Sequence, residues 1–478
     1  MYTLKNTRLK QLVILCIFNF FFLAAWGQKV YLPSEESLKG RKTPDWFGNA
    51  KLGIFIHWGL YSVPGWARPD FSVEKVTDWK LFYRSNPYAE WYLNSLRISG
   101  SPTAEFHKTK YGPNFDYYNF RDTLALKTKN WKAEQWVKIF KDVGARYVVI
   151  TSKHHDGFMM YPSKVANPFF DKDEITSKRD FIGELEKASR NQGLKFGVYY
   201  SGGLDWTFNQ SPVTNLWPDL FQSMPTSVAY TGYADSHVHE IIHRYKPDVL
   251  WNDVNYPKNG DFLGIFSELF NMNPNAVIND RWEKYKELSD YTTPEYQVLD
   301  SISPKKWETC RGLGYSFGFN RLEDNKQVIA SKDLVRLFVD IVSKNGNLLL
   351  NVGPKGDGTI PQIQLDRLTD LGNWLKINGE GIYDSKTWKT WGYKNPNGLD
   401  LRFTKKGSDL YVFIFNLPKS NTVHIPNLTS SKNSEAIAFS NVNRKVKLVK
   451  SGSGIDIKLP ENLKPSFCTM VKITNIAD

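Results

Sequence analysis

Pro247-Asp248-Val249-Leu250-Trp251-Asn252-Asp253 is an apolar run that ends in a carboxylate two residues past a tryptophan. A strand that is buried along its length and ends in an acid aims that acid into a cleft. Outward from this run, similar short segments recur at 52–58, 147–151, 196–201, 276–280, 291–298, 313–317 and 347–352. Several are continuous and rich in Val, Ile, Leu and Tyr, as buried parallel strands are. Helical spacing fills the intervals. Trp136, Ile139, Phe140 and Val143 fall on one helical face, and so do Leu334, Leu337, Phe338 and Ile341. Eight strands alternating with helices predict an α/β fold, a (β/α)8-like catalytic barrel over residues 28–385. Residues 70–130, rich in aromatics and turn formers, are expected to form an extended loop after the first strand and to wall a site.

The pattern changes after about Asn378. Segments 401–404, 409–416, 422–425, 446–449 and 455–459 alternate apolar and polar residues between turns. This predicts a small antiparallel β-sandwich over 386–478.

Lys5, Arg8 and Lys10 precede an apolar run from Leu12 to Ala25, and Ala25-Trp26-Gly27 places small residues where a signal peptidase reads. Residues 1–27 are therefore expected to be a secretory signal peptide, cut before Gln28. An uncleaved anchor is the alternative, although the run is short for a span. The expected location is secreted or periplasmic, with no membrane association after cleavage. Only Cys310 and Cys468 would remain, which leaves room for one disulfide and excludes a disulfide-built scaffold. The chain carries +13, about +10 without the three basic residues of the leader. That balance suits acidic partners such as sulfated or uronic polysaccharides, or reflects a scatter of solvated lysines. Nucleic acid is not expected, because the basic residues are dispersed.

In a barrel, chemistry gathers at the C-terminal ends of the strands. There the sequence places His57 and Trp58, then His154-His155-Asp156, Tyr199, Trp251 with Asp253, Arg281-Trp282, and Glu295 in Thr293-Pro294-Glu295-Tyr296. Two carboxylates among Trp, Tyr and His are what glycosidic-bond cleavage requires. One must be ionised to attack and the other protonated to release the leaving group. Retention asks for a separation of about 5–5.5 Å. Trp and Tyr can also stack on sugar rings. Adjacent histidines point apart, so His154-His155 is a poor metal pair. No metal or other cofactor is called for.

At this point the chain resembles the family 29 glycoside hydrolases, the retaining α-L-fucosidases. The matching pieces are Gly53–Gly59, Ala89-Glu90-Trp91-Tyr92, Lys153–Phe158, Gly197–Trp206, Leu250–Pro257, Asn279–Trp282, Thr293–Tyr296 and Trp307–Arg321. The resemblance implies an exo-acting hydrolase of terminal fucosyl residues on oligosaccharides or polysaccharides, working by double displacement. It implies Asp253 as nucleophile and Glu295 as acid/base, with Glu308 the rival for the second role. It further implies His57, Glu90, Trp91, His154, His155, Tyr199, Trp251, Arg281 and Phe317 as substrate contacts. A fucose-like or sulfated substrate, or a non-catalytic fucose-binding protein on the same scaffold, are the alternatives.

Overall fold

The computed structural model describes residues 29–463 and 466–477. The expected signal peptide lies outside the described residues. Seven parallel strands form the first sheet: β1 (Leu52–Ile56), β2 (Tyr147–Lys153), β3 (Lys195–Ser201), β4 (Val249–Asp253), β5 (Val277–Ile278), β6 (Trp307–Gly312) and β7 (Gly346–Val352). Their order is β5-β4-β3-β2-β1-β7-β6. Every residue of β1, β2, β4 and β7 is buried, as expected of strands covered on both faces.

The ring closes through a sixth stave. Isolated parallel bridges join Asn279 to Tyr291, Thr292 to Trp307, and Glu295 to Cys310. The eight-stave reading of the sequence therefore holds, with two corrections. Segment 291–298 forms bridges and no regular strand. Pro294 has no N–H to give, although its carbonyl accepts from Cys310 N at 3.2 Å. Segment 313–317 is a loop, and the next strand is β6, just before it. Glu308 and Arg311 hide β6 from an apolar-run reading. Glycines at 312, 314 and 318 and a set of side-chain caps shape the loop instead. Tyr315 N and Ser316 N both donate to Glu323 Oε1, at 2.8 and 2.7 Å.

Helices Ala133–Val143, Phe181–Asn191, Val228–Tyr245, Phe262–Met272, Ser331–Ser343 and Gln362–Asn378 run between or after the strands. The first buries Trp136, Val137, Phe140 and Val143, and it stops at Gly144, whose φ of 96° is the left-handed cap that glycine favours. Residues 70–130 are not an open loop. They contain helices Trp79–Arg84, Tyr92–Leu96, Pro102–Tyr111 and Phe120–Lys127, two of them N-capped by the side chains of Asp78 and Ser101. Their aromatic residues pack into the main core.

The C-terminal part is an eight-stranded antiparallel sheet. Its strands are β8 (Gly392–Lys394), β9 (Asp400–Lys406), β10 (Asp409–Ile414), β11 (Thr422–Ile425), β13 (Ala436–Ala438), β14 (Arg444–Ser451), β15 (Gly454–Lys458) and β16 (Thr469–Ile473). Strands β12 (Thr429–Ser430) and β17 (Ile476–Ala477) pair separately. The two ends of the sheet share one apolar core that includes Phe403, Val412, Ile425, Ile457 and Val471. Polar joints fasten this unit to the barrel. Arg402 pairs with Asp340, and Trp374 Nε1 donates to Cys468 O at 2.8 Å. Cys310 and Cys468 are both free and buried.

Candidate active site

The strand ends converge on a cleft of about 490 Å³, counting its open mouth. His57, Glu90, Trp91, His154, His155, Tyr199, Trp251, Asp253, Arg281, Glu295 and Phe317 all line it. Phe55, Tyr88, Val254 and Cys310 line it too and were not anticipated.

Asp253 ends β4. Its Oδ2 accepts from Tyr199 OH at 2.7 Å, and its Oδ1 from Arg281 Nη1 at 2.8 Å. Burial opposes its charge, but the Arg281 guanidinium and the hydrogen bonds from Arg281 and Tyr199 hold its carboxyl below the usual carboxylate range. The chain turns sharply after it. Val254 and Asn255 have φ of 52° and 67°, a strained region for a β-branched residue. The amides of Gly202 and Gly203 both donate to Asp253 O at 3.2 Å. A Cβ on Gly203 would stand 1.5 Å from Val254 O, so only glycine allows this approach.

Glu295 sits on the bridged stave. Its Oε2 accepts from Arg281 Nη2 at 3.1 Å and its Oε1 from Tyr88 OH at 3.4 Å. Burial raises its carboxyl above the ordinary value; Arg281 opposes this and the Asp253 charge adds to it. One guanidinium thus touches both acids. It is itself fixed by Thr293, through Oγ1 and the carbonyl at 3.2 Å each, and lies 4.6 Å above the Trp251 ring. The arrangement pushes the two acids apart in acidity: one stays ionised, the other keeps its proton longer.

Glu308 does not reach the cleft. It is fully buried inside the barrel, bonded to Tyr147 OH and, at 3.4 Å, to Trp251 Nε1. Burial pushes it up to about 7.

The histidines are neutral donors and acceptors. Asn351 Nδ2 donates to Phe317 O at 2.6 Å, which turns its Oδ1 toward His57 Nδ1 at 2.7 Å. His57 therefore carries its proton on Nδ1. Ser201 Oγ donates to Leu204 O at 2.8 Å, so it accepts from His155 Nδ1 at 2.6 Å. Each ring is left with an Nε2 lone pair. Burial lowers His57 to about 4 and His155 to about 3. His154 Nδ1 is buried without a hydrogen-bond partner. Glu90 is clasped by Gly318 N at 2.8 Å and Ser316 Oγ at 3.0 Å, yet burial still lifts it to about 7. Phe55, Trp251 and Phe317 form the apolar floor, with Phe55 5.0 Å from Trp251 and 6.5 Å from Phe317.

Asn351 lies outside every matching piece, and Ser201, within Gly197–Trp206, has no role implied there. The signal for Asn351 was a lone polar residue inside Leu348-Leu349-Leu350-Asn351-Val352. Among the described residues, no group of three His, Cys, Asp or Glu is arranged to hold a metal ion, and no helix is long and apolar enough to cross a membrane.

The family model described as alpha-L-fucosidase matches residues 21–380. An alpha-L-fucosidase of Dictyostelium discoideum is 29% identical over 472 residues, covering 95% of this chain and 94% of its own. The plasma alpha-L-fucosidase of Homo sapiens is 35% identical over 405 residues, 80% of this chain and 77% of its own. The structure of a Thermotoga maritima alpha-fucosidase in complex with fucose is 40% identical with a TM-score of 0.83, over 93% of this chain and 100% of that one. The same enzyme in complex with a mechanism-based inhibitor gives a TM-score of 0.84.

Proposed function

The chain belongs to the alpha-L-fucosidase family and is a hydrolase of fucosyl residues; on that premise we propose that Asp253 and Glu295 carry the hydrolysis as a double displacement. Asp253 attacks the anomeric carbon while Glu295 gives its proton to the departing glycosidic oxygen. A covalent glycosyl-enzyme results. Glu295, now a carboxylate, takes a proton from a water that attacks the same carbon and frees Asp253. The observation that carries this reading is the Arg281 fork, 2.8 Å from one acid and 3.1 Å from the other. A single planar guanidinium reaches both only if they flank one small volume. That closeness suits a direct nucleophile better than a water between two acids.

The neutral His57 and His155 would accept substrate hydroxyls at Nε2, and the proton held by Glu90 would be donated to another. The floor of Phe55, Trp251 and Phe317 offers an apolar seat for the methyl group that distinguishes fucose. Residues 1–27 would direct the chain to secretion. Proton NMR of the first minutes of reaction tests the displacement. The expected first product is α-fucose; β-fucose would require a single inversion and overturn the nucleophile role of Asp253.

A further inference from the structure

Next to Tyr88 and Trp91, which line the cleft, lies a buried aromatic layer. Phe82 meets Tyr88 at 5.9 Å, and Tyr83 packs on Phe82 at 5.5 Å and on Trp91 at 5.6 Å. The Tyr83 phenol is pushed up by burial and then by the charges of Glu295 and Asp219. Glu295 and Asp219 are thus both near enough to this phenol to act on it. The loop that bears Asp219 follows β3, so it stands on the same rim as the site. It is tethered there: Val213 N donates to Asn94 Oδ1 at 2.7 Å, and Asn94 Nδ2 donates back to Val213 O at 3.0 Å. Asn94 lies in the helix directly after Glu90 and Trp91.

At the tip of this loop Trp217 and Phe221 stack, with centroids 4.0 Å apart and planes at 15°. Leu216, Leu220 and Met224 anchor the tip to the core. Yet Trp217 is 62% exposed and Phe221 38%. Two large rings left in water are unfavourable in proportion to their area, unless something covers them in use. The chemistry of the site supplies an occupant. The acid protonates the glycosidic oxygen, so the rest of the glycan departs on the Glu295 side, past Tyr88 and over the rim that carries this loop. A pyranose has a face of C–H groups rimmed by hydroxyls, which a flat indole covers while nearby amides and carboxylates bond the rim. Asn215, Asp219 and Gln222 stand beside Trp217 in sequence. The Asp219 carboxylate, held by Thr214 Oγ1 at 2.6 Å, disfavours a sulfated or uronic unit here.

We propose that Trp217, backed by Phe221, is a platform that stacks a neutral pyranose of the departing glycan, beyond the first sugar after the scissile bond. The proposal rests on Glu295 being the acid. Trp217→Ala should raise KM on a neutral fucosylated oligosaccharide about tenfold, leave its kcat within about twofold, and leave an aryl fucoside unaffected. Trp217→Phe should recover most of the lost affinity, and Phe221→Ala should show a smaller version of the same split. Equal KM changes on both substrates, or none on either, would overturn the platform. So would a wild-type dimer in sedimentation equilibrium that Trp217→Ala dissociates with KM unchanged, since the rings would then be a subunit interface. Failure of Glu295 as acid would show separately, as absent azide rescue of Glu295→Ala.

Discussion

Arg281 is the residue on which the acidity of the whole site turns. Its charge lowers both Asp253 and Glu295. The kcat/KM profile should therefore be a bell, with its acid limb below the ordinary carboxylate range and its alkaline limb above it. Replacing Arg281 by Met removes a cation from both acids, so both limbs should move to higher pH; a shift of one limb alone would mean that the fork holds only one of them. Asp253→Asn should lower kcat about a thousandfold, a loss of ~4 kcal/mol in transition-state stabilisation, with the melting temperature nearly unchanged. Glu295→Ala should cripple substrates with poor leaving groups far more than activated aryl fucosides, and azide should speed the latter. Glu308→Ala should show neither signature, because Glu308 faces Tyr147 and Trp251 inside the barrel. Much of this site was legible in the sequence, since His57, His154, His155, Tyr199, Asp253 and Arg281 end a strand or follow one closely. Tyr88, Ser201 and Asn351 were not. They act by orienting another side chain, and a supporting hydroxyl or amide looks like any other in a sequence.

Among the elements, the stave that carries Glu295 is the weakest main-chain join in the ring. Three isolated bridges hold it, whereas β3 and β4 pair over five consecutive residues from Gly197–Val249 to Ser201–Asp253. Its amides should open more readily than those of Val148, Val149 and Ile150 in β2, which is laddered on both sides. Hydrogen exchange read by mass spectrometry should thus label 291–296 well before 147–151; equal protection would show that the stave is as firm as its neighbours. The same weakness explains where the strand reading of the sequence failed. Periodicity reports continuous ladders, and Pro294 and the glycines after Gly312 break them. Strand β6 was hidden for a different reason. Its Glu308 is tolerated inside because Tyr147 and Trp251 bond it, and local pattern cannot foresee a partner 161 residues away.

At the scale of the whole molecule, buried titrating groups set opposite demands. Burial raises Glu90 and Glu308 to about 7 and Glu323 to about 8. These groups hold protons in the fold that the unfolded chain has released, so their stabilisation is lost as pH climbs from about 4.5 to 8. Burial lowers His57 to about 4 and His155 to about 3. They refuse protons that the unfolded chain accepts, so stability is lost as pH falls from about 6.5 toward 3. Between about 4.5 and 6.5 the two sets oppose each other, and above that range only the carboxyls act. Calorimetric scans should find the highest melting temperature near pH 4.5–6.5, with a decline by pH 8. Glu308→Gln should flatten that decline, and a steeper one would reverse the assignment.

The unequal fastening of the two acids also bears on how the site would answer a change in chain length. Asp253 is locked in register with β3, and a residue gained or lost in β4 would turn every following side chain to the opposite face of the sheet. Between residues 281 and 306 no ladder sets a frame. There isolated bridges at Tyr291, Thr292 and Glu295 hold the chain to its neighbours. A change of length there would thus move Glu295 and leave Asp253 in place, whereas one within β4 would displace Asp253 itself.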